Sequence, residues 1–168
     1  CATGTHNCLA VATCSETPGS FTCTCPQGFA GDGITACTDI DECSTGTHNC
    51  HADAACSNTA GSFTCACNAG YFGDGVTCNN VDECSGNTHN CHANAACSDT
   101  PGSFTCACNS GYSGDGVTCT DDDECSAGTH NCHANAACSN TAGSFTCACN
   151  SGYSGDGVTC TDDDECSA

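Results

Sequence analysis

Apolar and polar positions in this chain follow no 3.6-residue period, and glycine, proline, asparagine or aspartate interrupts every stretch within a few residues, which excludes amphipathic helices. The segment from Ala54 to Cys67, Ala-Ala-Cys-Ser-Asn-Thr-Ala-Gly-Ser-Phe-Thr-Cys-Ala-Cys, sets two short runs on either side of a turn signal and predicts a β-hairpin. Gly-Tyr-Ser-Gly-Asp-Gly-Val-Thr-Cys, from Gly111 to Cys119, predicts a second, smaller one. Large apolar side chains are few: Leu9, Ile34, Ile40, six Phe and three Tyr across 168 residues. No single core can be built from them.

Cysteine supplies what burial does not. It fills 25 of 168 positions, well above the ~8–10% at which a disulfide scaffold is the default reading. The cysteines repeat in the order C-x6-C-x5-C-x8-C-x-C-x10-C, with x11 in the last gap of the first cluster. The clusters begin at Cys1, Cys43, Cys84 and Cys125, they use 24 cysteines, and Cys166 begins a fifth. Small modules stapled by covalent bonds follow. Spacing alone leaves 15 pairings open for six cysteines.

An acidic segment leads into three of the clusters: Asp39-Ile40-Asp41-Glu42, Asn80-Val81-Asp82-Glu83 and Asp121-Asp122-Asp123-Glu124. Each is followed at fixed distance by a hairpin turn, from Asn58 to Phe63, Asp99 to Phe104 and Asn140 to Phe145. Two such segments held side by side can offer a hard divalent cation its six or more oxygens. The cysteine spacing with this lead-in resembles the calcium-binding EGF-like domain found in tandem in fibrillins, Notch receptors and many matrix and adhesion proteins, over essentially the whole chain. The resemblance implies small disulfide-rich modules based on β-hairpins, with no helix of note, in a linear array: repeats at 1–37, 38–78, 79–119 and 120–160, and the start of a fifth at 161–168.

The resemblance also implies the pairing first to third, second to fourth and fifth to sixth. That gives Cys1 with Cys14, Cys8 with Cys23, Cys25 with Cys37, Cys43 with Cys56, Cys50 with Cys65, Cys67 with Cys78, Cys84 with Cys97, Cys91 with Cys106, Cys108 with Cys119, Cys125 with Cys138, Cys132 with Cys147 and Cys149 with Cys160. It assigns calcium to side chains of Asp39, Glu42 and Asn58, of Asn80, Glu83 and Asp99, and of Asp121, Glu124 and Asn140. Backbone carbonyl ligands fall on Ile40, Thr59 and Ser62, on Val81, Thr100 and Ser103, and on Asp122, Thr141 and Ser144. In the third repeat Asn80 removes a negative charge and Asp99 restores it. The first repeat departs from the pattern, with Glu16 at the Asn/Asp position and no acidic lead-in, so calcium is not assigned there. Asp162, Asp163, Asp164 and Glu165 form half a site.

Hydroxylation is implied at Asn58, Asp99 and Asn140, and O-glycosylation at Thr13, Ser113 and Ser154, whereas Asn-x-Ser/Thr sequons are absent. The family's short linker accompanies packing of one repeat's aromatic on the next repeat's turn: Phe29 on Ala60 and Gly61, Tyr71 on Pro101 and Gly102, Tyr112 on Ala142 and Gly143. The expected product is a rod advancing about 20–30 Å per repeat.

Charge narrows the partners. With no Lys or Arg and a formal charge of −20, the chain cannot neutralise phosphates, so nucleic acid and anionic membranes are poor partners and no direct membrane insertion is expected, while cations and neutral sugars remain. No apolar run approaches the ~18 residues of a membrane span, and no signal-peptide pattern precedes Cys1. Dense cysteine requires an oxidising compartment, which places the protein outside the cell, secreted or on the surface. The Thr-His-Asn-Cys-His motif, as at His48 and His51, reads as turn or surface structure, and Cys-x-Cys pairs read as half-cystines. Nothing combines a nucleophile with a base, cradles phosphate or matches a metalloprotease motif, so no enzyme is expected. Residues 84–124 and 125–165 differ only at Gly86/Ala127, Asn87/Gly128, Asp99/Asn140 and Pro101/Ala142. Such uniformity suits a structural fibre, stalk or filament, a window cut from a longer array whose partners are calcium, O-linked glycans and other copies. The alternative is a ligand-binding segment of a receptor or adhesion protein, which usually needs distinct anchors on one patch.

Overall fold

The computed structural model describes residue 1 and residues 6–163. Asp164, Glu165 and Cys166, named above with the fifth repeat, lie outside the described residues. The chain divides into two compact units, Cys1–Val81 and Asp82–Ala168, each holding two repeats.

Every repeat is built on two antiparallel hairpins. The larger pairs Ala54–Thr59 with Ser62–Cys67 in the second repeat and Ala136–Thr141 with Ser144–Cys149 in the fourth. Its period-2 alternation turns Phe63, Cys65 and Cys67 to the half-buried face and Ser62, Thr64 and Ala66 to solvent. The smaller pairs Tyr112–Gly114 with Cys119–Asp121 in the third repeat. Its second strand runs past the sixth cysteine, so that Asp121 lies opposite Tyr112, as Asp39 lies opposite Phe29 in the first repeat. The supposed linker is thus partly a strand of the preceding repeat.

Twelve disulfides close the four repeats, each joining first to third, second to fourth and fifth to sixth cysteines. They stand in place of a core. Among the described residues the buried apolar side chains are Cys78, Cys119 and Cys160, and no large side chain is fully buried. Each staple contributes about 2–4 kcal/mol in the chain-entropy account.

Two short helical turns, Glu42–Thr45 and Glu124–Ala127, are additions to the all-hairpin expectation. They are too short for periodicity to reveal, and local capping makes them. The Asp41 carboxylate accepts from Ser44 N at 2.9 Å and from Ser44 Oγ at 2.6 Å, and Asp123 does the same with Ser126. Gly46 and Gly128 close the turns in the left-handed region, and Asn87 adopts the same sign of φ at the corresponding place in the third repeat. No helix is long and apolar enough to cross a membrane.

Candidate metal-binding joints

Each unit contains one complete joint between consecutive repeats. In the first, the Asp39 carboxylate reaches from the first repeat's small hairpin to the second repeat's turn, accepting from Asn58 Nδ2 at 2.7 Å and from Gly61 N at 2.5 Å. In the second, Asp121 accepts from Asn140 Nδ2 at 2.8 Å and from Gly143 N at 2.5 Å. The chain beyond each aspartate is pinned too: Ile40 N donates to Gly28 O, and Asp122 N to Gly111 O, both at 2.9 Å.

Aromatic packing brings the same surfaces together. A Cβ placed on Gly61 would come within 2.8 Å of Phe29 Cε2, and one on Gly143 within 2.7 Å of Tyr112 Cε2. The backbones also meet, for a Cβ on Gly111 would lie 2.1 Å from Gly143 O. Both rings therefore sit on the glycine of the next repeat's turn, where the sequence places them.

The remaining ligand candidates stand around these contacts. Thr59 and Ser62 are cross-strand partners at the hairpin end, where Thr59 Oγ1 donates to Ser62 O at 2.9 Å; Thr141 and Ser144 repeat the arrangement at the same distance. Glu42 and Glu124 open the helical turns. Among the described residues, the buried side-chain oxygens and nitrogens without a hydrogen-bond partner are His6 Nδ1 and one oxygen, Oε2, on each of Glu42, Glu83 and Glu124. A buried anionic acceptor left unsatisfied is costly and calls for a donor or a cation. The third set of candidates divides between the units, Asn80 and Val81 in the first, Glu83, Asp99, Thr100 and Ser103 in the second.

Sequence reasoning missed the aspartate just before the glutamate of each lead-in. Asp41 and Asp123 are helix caps and Asp82 accepts from Ser85 N in the same way at a turn, each legible from Asp followed three residues later by Ser. The Ser126 hydroxyl and then its backbone N–H hold the Asp123 carboxyl below the usual range. Asp74, Asp115 and Asp156 were likewise overlooked. Each carboxylate accepts the backbone N–H groups two and three residues on, as Asp115 does from Val117 and Thr118, and each titrates low chiefly through the second of these bonds.

The histidines belong to the turns. His130 Nδ1 accepts from Cys132 N at 3.2 Å and its ring lies 6.0 Å from that of Phe145, while His133 Nδ1 accepts from Asn135 N. A ring nitrogen of His130 and the sulfurs of Cys132 and Cys138 lie within 4.8 Å of one another. Both sulfurs are in disulfides, so the group offers no thiolate.

Of the modification candidates, Thr13 starts a strand and is exposed, as are Asn58, Asp99, Ser113, Asn140 and Ser154. Ser113 Oγ donates to Asp122 Oδ1.

A family model described as EGF domain matches residues 1–37, 43–78, 84–119 and 125–160. Similar proteins include mouse nidogen-1, 56% identical over 43 residues, a human EGF-containing fibulin-like extracellular matrix protein 1, 50% identical over 42 residues, and wall-associated receptor kinase 2 of Arabidopsis thaliana, 45% identical over 38 residues. Each match covers about a quarter of this chain (25%, 25% and 23%) and 3%, 8% and 5% of the relative.

Proposed function

Because the chain belongs to the EGF domain family, we propose that its repeats form a calcium-stiffened structural element outside the cell, with the ion held at the joints. Asp39, Glu42 and Asn58, with the carbonyls of Ile40, Thr59 and Ser62, would hold it at the first joint. Asp121, Glu124 and Asn140, with those of Asp122, Thr141 and Ser144, would do so at the last; Asn80, Val81, Glu83, Asp99, Thr100 and Ser103 are the corresponding positions of the third repeat in the sequence. The chemistry of the donor set fits: carboxylates, one amide and carbonyls, with no soft ligand. The observation that carries the reading is the buried, unpartnered Oε2 of Glu42, Glu83 and Glu124, for a cation is the natural complement of such an oxygen in a chain without Lys or Arg.

When bound, the ion supplies a cross-link of oxygen ligands drawn from two repeats. The chain's own residues do the rest. Phe29 and Tyr112 seat the turn glycines, Ile40 N and Asp122 N fix the linker, and the caps at Asp41 and Asp123 set the helical turns on which Glu42 and Glu124 stand. An affinity in the 10⁻⁴–10⁻³ M range of extracellular modules suffices at such a joint.

We favour a stalk, fibre or surface filament over a receptor's recognition segment, because the third and fourth repeats are nearly the same sequence and arginine anchors are absent. O-glycans at Thr13, Ser113 and Ser154, and hydroxylation of Asn58, Asp99 and Asn140, belong to the same reading. Calorimetric titration of the 168-residue chain tests it. Three sites with oxygen-ligand selectivity for calcium are expected; a chain that takes up no calcium at 10 mM, about tenfold above the upper end of the extracellular range, refutes the ion's role.

A further inference from the structure

At each complete joint the linker aspartate makes two hydrogen bonds to the following repeat. Both oxygens of Asp39 and both of Asp121 accept a hydrogen bond from the following repeat, one from an asparagine amide and one from a turn N–H, at 2.5–2.8 Å. Bonds to a charged acceptor are the stronger kind, and these cross from one repeat to the next.

The sequence adds an independent constraint. The linker and hairpin positions always hold one Asp and one Asn: Asp39 with Asn58, Asp121 with Asn140, and, exchanged, Asn80 with Asp99. A cation alone would be served at least as well by two carboxylates. Without the ion, though, two facing carboxylates repel, whereas one carboxylate and one amide pair directly as acceptor and donor. The third repeat carries the same two residue types in exchanged order, with the charge on the hairpin position.

We propose that the Asp–Asn pair is an ion-free latch: it holds consecutive repeats in register before calcium arrives, so that the ion locks a joint already assembled. The latch rests on the reading of the joints as calcium sites, but it is a separate property of the pair. A carboxylate has about four lone-pair sites, and two remain on Asp121 once Asn140 and Gly143 are served, so closing the latch leaves room for the ion.

The test uses the full chain and two variants, N140D and D121N/N140D, the second reproducing the order found at Asn80 and Asp99. Amide exchange at Gly143 is followed in chelator, and calcium affinity is followed by titration. In chelator, N140D should speed Gly143 exchange about five- to tenfold, the loss of one net hydrogen bond, and the double exchange should return it to within about twofold of the parent, as a directly coupled pair requires. With calcium, N140D should bind more tightly than the parent because it adds a carboxylate. Gly143 exchange in N140D equal to the parent's, or a double variant as fast as N140D, overturns the latch even if calcium binds normally. Recovery in the double variant with no calcium uptake by any of the three supports the latch and overturns the ion's role.

Discussion

Tyr112 lies opposite Asp121 across the small hairpin of the third repeat, and its ring rests on Gly143 of the fourth. One strand pairing therefore aims two devices at the same turn, an aromatic wedge and a carboxylate. Phe29 and Asp39 repeat the relationship against Gly61. The joint is an extension of the hairpin, which explains how five residues between cysteines can be geometrically defined at all.

Gly143 should tolerate no side chain. Its φ is +76°, and a Cβ would stand 2.7 Å from Tyr112 Cε2. Gly143→Ala therefore combines about 1–2 kcal/mol of left-handed strain with displacement of the ring. Ring contacts of Tyr112 with the fourth repeat, read by nuclear Overhauser effects, should be lost, while all twelve disulfides form as before. Unchanged Tyr112 contacts would show that the ring does not depend on that glycine.

Glu124→Gln and Glu124→Ala should both weaken calcium at the last joint, by at least about tenfold for the loss of a charged ligand, with little change at the first. The Asp123→Ala variant should weaken the same joint by a smaller factor, through the lost cap, whereas Asp123→Asn, which can still cap, should stay near the parent. Equal effects of the two Asp123 substitutions would mean that its charge, and not its cap, matters.

Acid should undo the small loops before it undoes the staples. Hydrogen bonds from Thr77 and Val76, from Thr118 and Val117, and from Thr159 and Val158 depress the carboxyls of Asp74, Asp115 and Asp156. A carboxyl with a lowered folded pKa gives stability that is present above its unfolded value, ~3.9, and is lost as pH falls through the folded one. Amide protection at Thr77, Thr118 and Thr159 should therefore hold at pH 5 and decline only below about pH 4. A loss of protection already complete at pH 5 would contradict these bonds.

Each of His48, His51, His89, His92, His130 and His133 uses Nδ1 as the acceptor of the backbone N–H two residues on. The neutral rings must then carry their proton on Nε2. Nitrogen NMR at pH 8 should show that tautomer at all six; the Nδ1–H form at any of them would break the assigned turn.

Much of this was legible in advance because cysteine phase, turn residues and acidic lead-ins repeat at fixed spacing. Phe63 between Ser62 and Thr64 announces a half-buried strand, and Phe29 and Tyr112 meet the glycines expected of them. What escaped the sequence was hydrogen bonding that carries no periodic signature. Asp41 and Asp123 look like further ligands in an acidic run and are helix caps, and Asp115 looks like surface charge and organises a turn. Nor does spacing distinguish an Asp–Asn pair that shares an ion from one that bonds directly.

The central claim is that calcium tightens a joint the chain has already shaped, and small-angle scattering of the 168-residue chain with calcium and with excess chelator tests it most directly. The expected result is a distance distribution that is narrower in calcium than in chelator, with Glu124→Ala showing part of the broadening even in calcium. Superimposable scattering curves in calcium and in chelator would contradict it.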